Sequence, residues 1–294
     1  MLYDIGLKIT YKYPRAAAAG RHCLRLLPAD LPGEQRLIAG NLSITPRPEE
    51  RIEKKDFFEN AVTDVAYRKS HKEIAFAIQA RVERTAEALD LDISPPLTGL
   101  RDEITGLHSV SPASPVHFLG PSPRVALEPI FSDYARKVVS ADMTAISAVV
   151  ALGLALHEDM RFDADATTVD TLPADAFRKR HGVCQDFSHI MIACLRCIGI
   201  PAGYVSGYLR TIPPKGKPRL EGADAMHAWI RAWCGIEIGW IEYDPTNAVR
   251  AGLDHIVVAR ARDYSDIAPI KGVMRTSGGQ TSEQLVDVIP LEKV

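Results

Sequence analysis

The chain has 294 residues, of which 46% are hydrophobic and 24% are charged. These fractions are those of ordinary globular proteins, so no long disordered segment is expected, and the length suits two domains of average size. The formal net charge is −2, with 35 basic and 37 acidic residues. This balance lacks the broad basic field by which proteins attract nucleic acid or anionic membranes, so neither partner is expected.

The first 92 residues have the pattern of β-structure. Short apolar or alternating segments separated by turn residues predict strands over Tyr3–Tyr13, Arg21–Leu27, Arg36–Ile44 and Ile74–Val82. We therefore predict a small β-sandwich domain over residues 1–92. The segment Arg47–Asn60 mixes proline with dense charge, which predicts a solvated loop.

Proline is frequent between residues 93 and 124, where it stands at positions 95, 96, 112, 115, 121 and 123. Proline interrupts helices and central strands, so this composition predicts a linker without regular structure. The remaining residues, 125–294, form a second predicted domain.

The second domain begins with helical patterns. Apolar spacing predicts helices over Pro129–Val139 and Thr144–Met160, and the second is apolar nearly all round, as in a buried helix. A short helix is predicted to begin near Pro173. A further helix is predicted over Cys184–Ile198, and Gly199 ends it.

Strand patterns follow these helices. Predicted strands cover Ala202–Leu209, a pair within Ala225–Ile241 that turns around Gly235, Ile256–Arg262 and Leu285–Ile289, with a mobile loop over Pro213–Gly222. In this domain the predicted helices thus precede most of the predicted strands.

The first residues lack the apolar segment of a signal peptide, and the longest uncharged apolar run, Thr144–Leu156, is too short to span a bilayer. We therefore expect a cytoplasmic protein. The sequence leaves its oligomeric state open.

The five cysteines, at positions 23, 184, 194, 197 and 234, are odd in number and irregularly spaced, so we expect reduced thiols rather than a disulfide framework. Cys194 and Cys197 form a C-x-x-C pair without a second such pair, which is typical of core packing inside a helix. No metal and no cofactor are expected.

Cys184 has the position of an activated thiol. The free N–H groups and positive dipole end of a helix N-terminus stabilise a thiolate. Gly182 allows a sharp turn just before the helix, and Asp186 in the first turn is expected to cap free N–H groups.

His227 and Asp244 are the residues that could complete a catalytic triad with this thiol. A thiol nucleophile needs an imidazole to exchange its proton, and the imidazole needs a third group to orient it. If the hairpin turns over residues 234–237, His227 lies directly opposite Asp244. Trp229, two residues along the same strand face, is the tryptophan most expected to line the substrate cleft.

Six segments together form a known pattern. They are Leu24–Leu26 and Asp56–Asn60 in the first domain, Arg180–His189 around the cysteine, Leu195–Tyr208 with its Gly-Ile-Pro, His227–Trp229, and Asp244–Asn247 with its Asp-Pro-Thr-Asn. The set resembles the bacterial transglutaminase-like superfamily, whose members are also described as cysteine proteases. The resemblance covers most of the chain.

This resemblance implies an α+β fold with a papain-like, transglutaminase-like catalytic core over residues 125–294, in which a nucleophile-bearing helix packs on an antiparallel sheet. It implies Cys184 as nucleophile, His227 as general acid and base, and Asp244 as the residue that orients His227. Asp254–Ile256 resembles a segment that returns beside the active site, for which structural roles are expected. Met226 stands where a small residue is common, which leaves the substrate open.

The expected reaction is cleavage of an amide or peptide bond, of the glutamine type, through a thioester, and the expected substrate is a peptide or protein. Water as acceptor gives a hydrolase, which the sequence favours because no acidic run resembles a calcium site. The alternatives are a transglutaminase with an amine acceptor and a non-catalytic protein-binding scaffold.

Overall fold

The computed structural model describes residues 1–85, 91–211, 220, 222 and 224–291. The described strands are β1 (Leu2–Leu24), β2 (Gln35–Thr45), β3 (Glu50–Lys55), β4 (Ala61–Ala66), β5 (His71–Arg84), β6 (Arg161–Phe162), β7 (His181–Gly182), β8 (Ala202–Leu209), β9 (Ala225–Trp233), β10 (Trp240–Asp244), β11 (Val249–Arg250), β12 (His255–Ala261), β13 (Ile270–Arg275) and β14 (Thr281–Leu291). The described helices are α1 (Leu97–Thr105), α2 (Pro129–Val138), α3 (Ala145–Asp159), α4 (Pro173–Lys179), α5 (Cys184–Cys197) and α6 (Tyr264–Ile267), with a 3-10 helix at Pro115–Phe118.

The N-terminal β region is organised around β1, which takes part in two sets of pairings. Its first half, Leu2–Lys12, pairs with both β5 and β14, and its last residues pair with β4 and β13. The register shifts between Lys12 and Ala17, where the strand passes from one set of partners to the other. Alternate residues of the first half are buried, as a strand with one face on a core requires.

Two segments predicted to lack regular structure contain it. Within Arg47–Asn60, β3 pairs with β4 at the end of the sheet, where charged side chains remain exposed because an edge strand has only one neighbour. Within residues 93–124, α1 begins directly after Pro96. A proline at a helix start costs no hydrogen bond, so this prolyl pair precedes a helix instead of excluding one.

The last two strands return to the N-terminal sheet. The predicted strand Leu285–Ile289 is confirmed as part of β14, but β14 and β13 both pair with β1, at least 246 residues earlier in the chain. Val286 and Val288 are buried there. The N-terminal sheet is thus completed by residues from the other end of the sequence.

The C-terminal core has the predicted arrangement of a helix on an antiparallel sheet. The sheet has the order β11-β10-β9-β8-β12, and α5 packs on β8 and β9 with α2, α3 and α4 around it. Twelve of the residues of α5 are buried, which makes it the central helix. Within the described ranges, no helix is long and apolar enough to cross a membrane. The predicted loop Pro213–Gly222 lies largely outside the described residues.

Candidate active site

Cys184 is the first residue of α5, and its side chain is partly exposed. The start of the helix is held by Asp186, whose Oδ2 accepts hydrogen bonds from the Val183 N–H at 2.9 Å and from the Thr167 hydroxyl at 2.6 Å. Burial raises the pKa of Asp186, and these two hydrogen bonds act in the opposite direction. The predicted capping role of Asp186 is confirmed, and it fixes the turn that presents the thiol.

Gly182 is required by the same turn. A Cβ atom at this position would lie 2.7 Å from both Cβ and Oδ2 of Asp186, closer than non-bonded atoms approach. The glycine therefore lets the chain pass the capping carboxylate just before Cys184.

His227 on β9 and Asp244 at the end of β10 form a hydrogen bond, with 2.7 Å between His227 Nε2 and Asp244 Oδ2. The predicted register was wrong by two residues. Tyr243 pairs with Ile230 because the turn is longer and closes with a hydrogen bond from the Cys234 N–H to the Gly239 carbonyl. A two-residue slip keeps both side chains on the same face, as diagonal neighbours within reach of each other.

Asp244 is completely buried, and its carboxylate is satisfied by several donors. Oδ1 accepts from the backbone N–H groups of Thr246 and Asn247, and Oδ2 accepts from the Asn247 side chain at 2.7 Å. Burial alone would raise the pKa of Asp244, but hydrogen bonds from His227, His255 and Asn247 outweigh it and hold the pKa well below its usual range. Asp244 is therefore a carboxylate at neutral pH.

The His227 imidazole lies between this carboxylate and the Cys184 thiol. Burial disfavours its charged form, but hydrogen bonds to Asp244 and to Cys184 outweigh burial and raise the pKa of His227 to about 10. Because Nε2 is bonded to Asp244, Nδ1 is the ring nitrogen left for the thiol. An imidazole with a raised pKa beside a thiol favours a thiolate–imidazolium pair.

His255 adds a second imidazole to the same carboxylate oxygen, at 3.2 Å from Nε2 to Asp244 Oδ2. The side-chain atoms of His227, Asp244 and His255 that could bind a metal ion lie within 4.8 Å of one another, so their spacing would also suit a cation site. Both Nε2 atoms point at one oxygen at hydrogen-bond distance, however, so we interpret the group as a hydrogen-bonded cluster.

Trp229 does not line the cleft, contrary to the prediction. Its side chain is completely buried, its ring stacks on His227 with 6.1 Å between ring centroids, and its Nε1 donates to Glu242 at 2.9 Å. Glu242 in turn pairs with Arg260 and Arg84. Trp229 thus packs against the His227 imidazole on one side, and its Nε1 is hydrogen-bonded to a buried network of charged residues.

A cleft of about 280 Å³ opens beside Cys184 and His227. Its walls come from both parts of the chain, and they are formed by Ile9, Tyr11, Val183, Cys184, Gln185, Tyr204, Ser206, Met226, His227, Ala228, Tyr264, Pro269, Ile270 and Gln284. Among these described residues there is no Asp, Glu, Lys or Arg. The cleft therefore offers apolar, aromatic and neutral polar surface next to the thiol.

The structure brings Cys184, His227 and Asp244 together as the sequence predicted. Sequence reasoning missed the N-terminal side of the cleft, Ile9 and Tyr11, because alternation in a strand predicts burial but not which site a strand borders. It also missed His255, for which only a structural role was expected. The signal in the sequence that could have indicated His255 is its position in Asp254–Ile256, the segment that resembles one returning beside the active site.

Similar proteins were found along almost the whole chain. Residues 132–245 match the transglutaminase-like superfamily, and residues 3–83 match the bacterial transglutaminase-like N-terminal region. An uncharacterized protein of Mycobacterium tuberculosis is 32% identical over 97% of this chain and 88% of its own length. An uncharacterized protein of Mycobacterium leprae is 40% identical over 49% of this chain and 50% of its own length.

Among solved structures, a proposed cysteine protease from Cytophaga hutchinsonii has the same fold, with a TM-score of 0.77 at 20% identity over 100% of this chain and 92% of that one. This likeness supports the fold and not a particular activity. With both sequence matches, it leads to one conclusion: the chain belongs to the transglutaminase-like superfamily and carries the bacterial transglutaminase-like N-terminal region.

Proposed function

We propose that this protein is a cysteine-nucleophile acyl-transfer enzyme that cleaves an amide or peptide bond as a hydrolase. Cys184 is the nucleophile, His227 the general acid and base, and Asp244 the residue that orients His227. One observation carries the proposal. The Cys184 thiol at a helix N-terminus contacts the His227 imidazole, whose pKa is raised, and this imidazole is hydrogen-bonded to the buried Asp244 carboxylate. Each group has the neighbour that its role requires.

The reaction proceeds in two halves. The Cys184 thiolate attacks the carbonyl carbon, and the proton on His227 passes to the leaving amine as the C–N bond breaks, which leaves a thioester. His227, now neutral, takes a proton from water, and the hydroxide attacks the thioester and releases a carboxylic acid and the thiol. The backbone N–H of Cys184 at the helix start stabilises the oxyanion in both halves.

The composition of the cleft supports a peptide or protein substrate with an uncharged acyl side chain, such as glutamine. Apart from the reacting pair Cys184 and His227, a charged acyl side chain would lose its hydration in this cleft without finding an Asp, Glu, Lys or Arg partner among the described lining residues, which is costly. An amine acceptor is uncharged when it reacts, so the same cleft is compatible with transamidation. Whether water or an amine takes the acyl group is determined by following the fate of the acyl-enzyme.

Intact-mass spectrometry with an activated glutamine ester peptide tests the proposal. Wild type should gain the mass of the acyl group transiently, and Cys184→Ala should not. Cys197→Ala is the matched control, because Cys197 is also a partly exposed thiol on α5, at its other end, and this variant should acylate like wild type.

The fate of the adduct distinguishes the possible functions. Loss of the adduct to free acid in the presence of a primary amine supports a hydrolase, and transfer to the amine supports a transglutaminase instead. If neither wild type nor Cys197→Ala forms an adduct, the proposal is contradicted and a non-catalytic scaffold is favoured.

A further inference from the structure

His255 is buried and contacts Asp244, the carboxylate that also bonds to His227. Its ring packs edge-on against Trp229 with 5.1 Å between centroids, and its centroid is 6.3 Å from that of His227. The two imidazoles therefore approach one carboxylate oxygen from different strands, His227 from β9 and His255 from β12.

The hydrogen bonds of His255 fix its tautomer. Nδ1 accepts a hydrogen bond from the Gly252 N–H at 3.3 Å, so it carries no proton in this arrangement. The ring proton is then on Nε2, which faces Asp244 Oδ2 at 3.2 Å. His255 is thus a donor to the carboxylate that orients His227.

A donor on Asp244 Oδ2 affects the proton of His227. The carboxylate attracts the imidazolium of His227, and a further N–H on the same oxygen, besides that of Asn247, stabilises the carboxylate and weakens that attraction. The carboxylate does not depend on His255 for its position, because Asn247 and two backbone N–H groups also hold it. Loss of His255 should therefore change basicity more than geometry.

We propose that His255 is a positioning residue of the active site, whose Nε2–H limits how tightly Asp244 holds the proton on His227. A general acid must release its proton to the leaving group, and it works best when its pKa is near the operating pH. Without the His255 donor, Asp244 would hold the proton of His227 more tightly and release to the leaving group would be slower. The inference rests on the proposed function for its catalytic meaning, but the proton equilibrium can be measured separately.

Several other ionisable groups border this cluster and have to stay constant in a test. They are Cys184 on α5, Tyr204 on β8, Glu242 behind Trp229, Tyr243 beside Asp244, Tyr264 on α6, and the Arg210–Asp254 pair next to His255. Of these, Cys184 bonds directly to His227 and contributes to its raised pKa. The test therefore uses Cys184→Ala as its reference protein.

The experiment follows the ¹³Cε1 signal of His227 by NMR during a pH titration, in Cys184→Ala and in the same protein with His255→Phe, His255→Asn or His255→Gln. Phenylalanine removes the donor, and the shorter amide of asparagine replaces Nδ1 rather than Nε2. Both should raise the His227 midpoint by about half a pH unit or more. Glutamine places an N–H near the position of Nε2, so it should keep the midpoint of the reference.

An unchanged or lowered midpoint in the phenylalanine and asparagine variants overturns the inference, and so does a glutamine variant that shifts as much as they do. Near-ultraviolet circular dichroism identifies variants that have lost their packing. Since Cys184 is absent throughout, the outcome is independent of the proposed function, whose failure appears as a missing acyl adduct on wild type.

Discussion

Replacement of Gly182 by alanine tests how the turn before the nucleophile is built. The new Cβ would lie 2.7 Å from Asp186 Cβ and Oδ2 and 3.0 Å from Cγ. Rotation of the Asp186 side chain does not move its Cβ, so the backbone has to shift. The shift displaces the carboxylate from its hydrogen bonds with the Val183 N–H and the Thr167 hydroxyl. Overpacking costs about 1–3 kcal/mol and a lost hydrogen bond to a charged group about 1.5–3 kcal/mol, so together we expect a loss of about 2.5–6 kcal/mol.

Urea unfolding of Gly182→Ala, read as the free energy of unfolding, measures this loss. Gly120→Ala is the matched control, because a Cβ there meets no atom within 4 Å and the residue has no positive φ. The control should stay within about 0.5 kcal/mol of wild type. A Gly182→Ala protein as stable as the control would refute the account of this turn.

Three further predictions concern the cleft and its buried groups. Asp244→Asn removes the charge that stabilises the His227 imidazolium and should lower the rate of acyl-adduct formation by about 10³-fold or more. Gln284→Ala should change KM for the acyl donor, whereas exposed Glu283→Ala, which does not line the cleft, should not. Burial lowers the pKa of His189 to about 3, so wild type should lose more stability between pH 6.5 and pH 4 than His189→Gln does in urea unfolding.

The sign of the last prediction follows from proton uptake. In the unfolded chain a histidine binds a proton below about pH 6.5, whereas buried His189 does not until the pH is far lower. The unfolded state is therefore favoured progressively as the pH falls through this window. In wild type the Tyr264 backbone N–H donates to Nε2 of His189. Glutamine keeps an acceptor for this N–H, but it does not titrate.

Local patterns predicted much of the C-terminal core. The spacing of α5, the glycine that ends it and the capping Asp186 are short-range features, and the structure places them as predicted. The strand Ala202–Leu209 has the predicted bounds. Such features depend on residues a few positions apart, where periodicity and capping chemistry are informative.

Long-range features were beyond this reasoning. Alternation around Val286 predicted a strand, but it could not indicate that its partner would be β1, because pairing between distant segments depends on the packing of the whole fold. The hairpin register depended on a turn two residues longer than assumed. His255 reaches Asp244 although β12 and β10 are not neighbours in the sheet, which no local pattern indicates.

The most direct test of the central claim is the rate at which iodoacetamide alkylates each cysteine of the native protein at pH 6. Cys23, Cys184 and Cys197 are all partly exposed, and burial raises the pKa of Cys23 and of Cys197, so those two thiols serve as internal controls. A thiolate stabilised by His227 predicts that Cys184 reacts at least about tenfold faster than either. Alkylation of Cys184 no faster than that of Cys23 and Cys197 would contradict the account of this site.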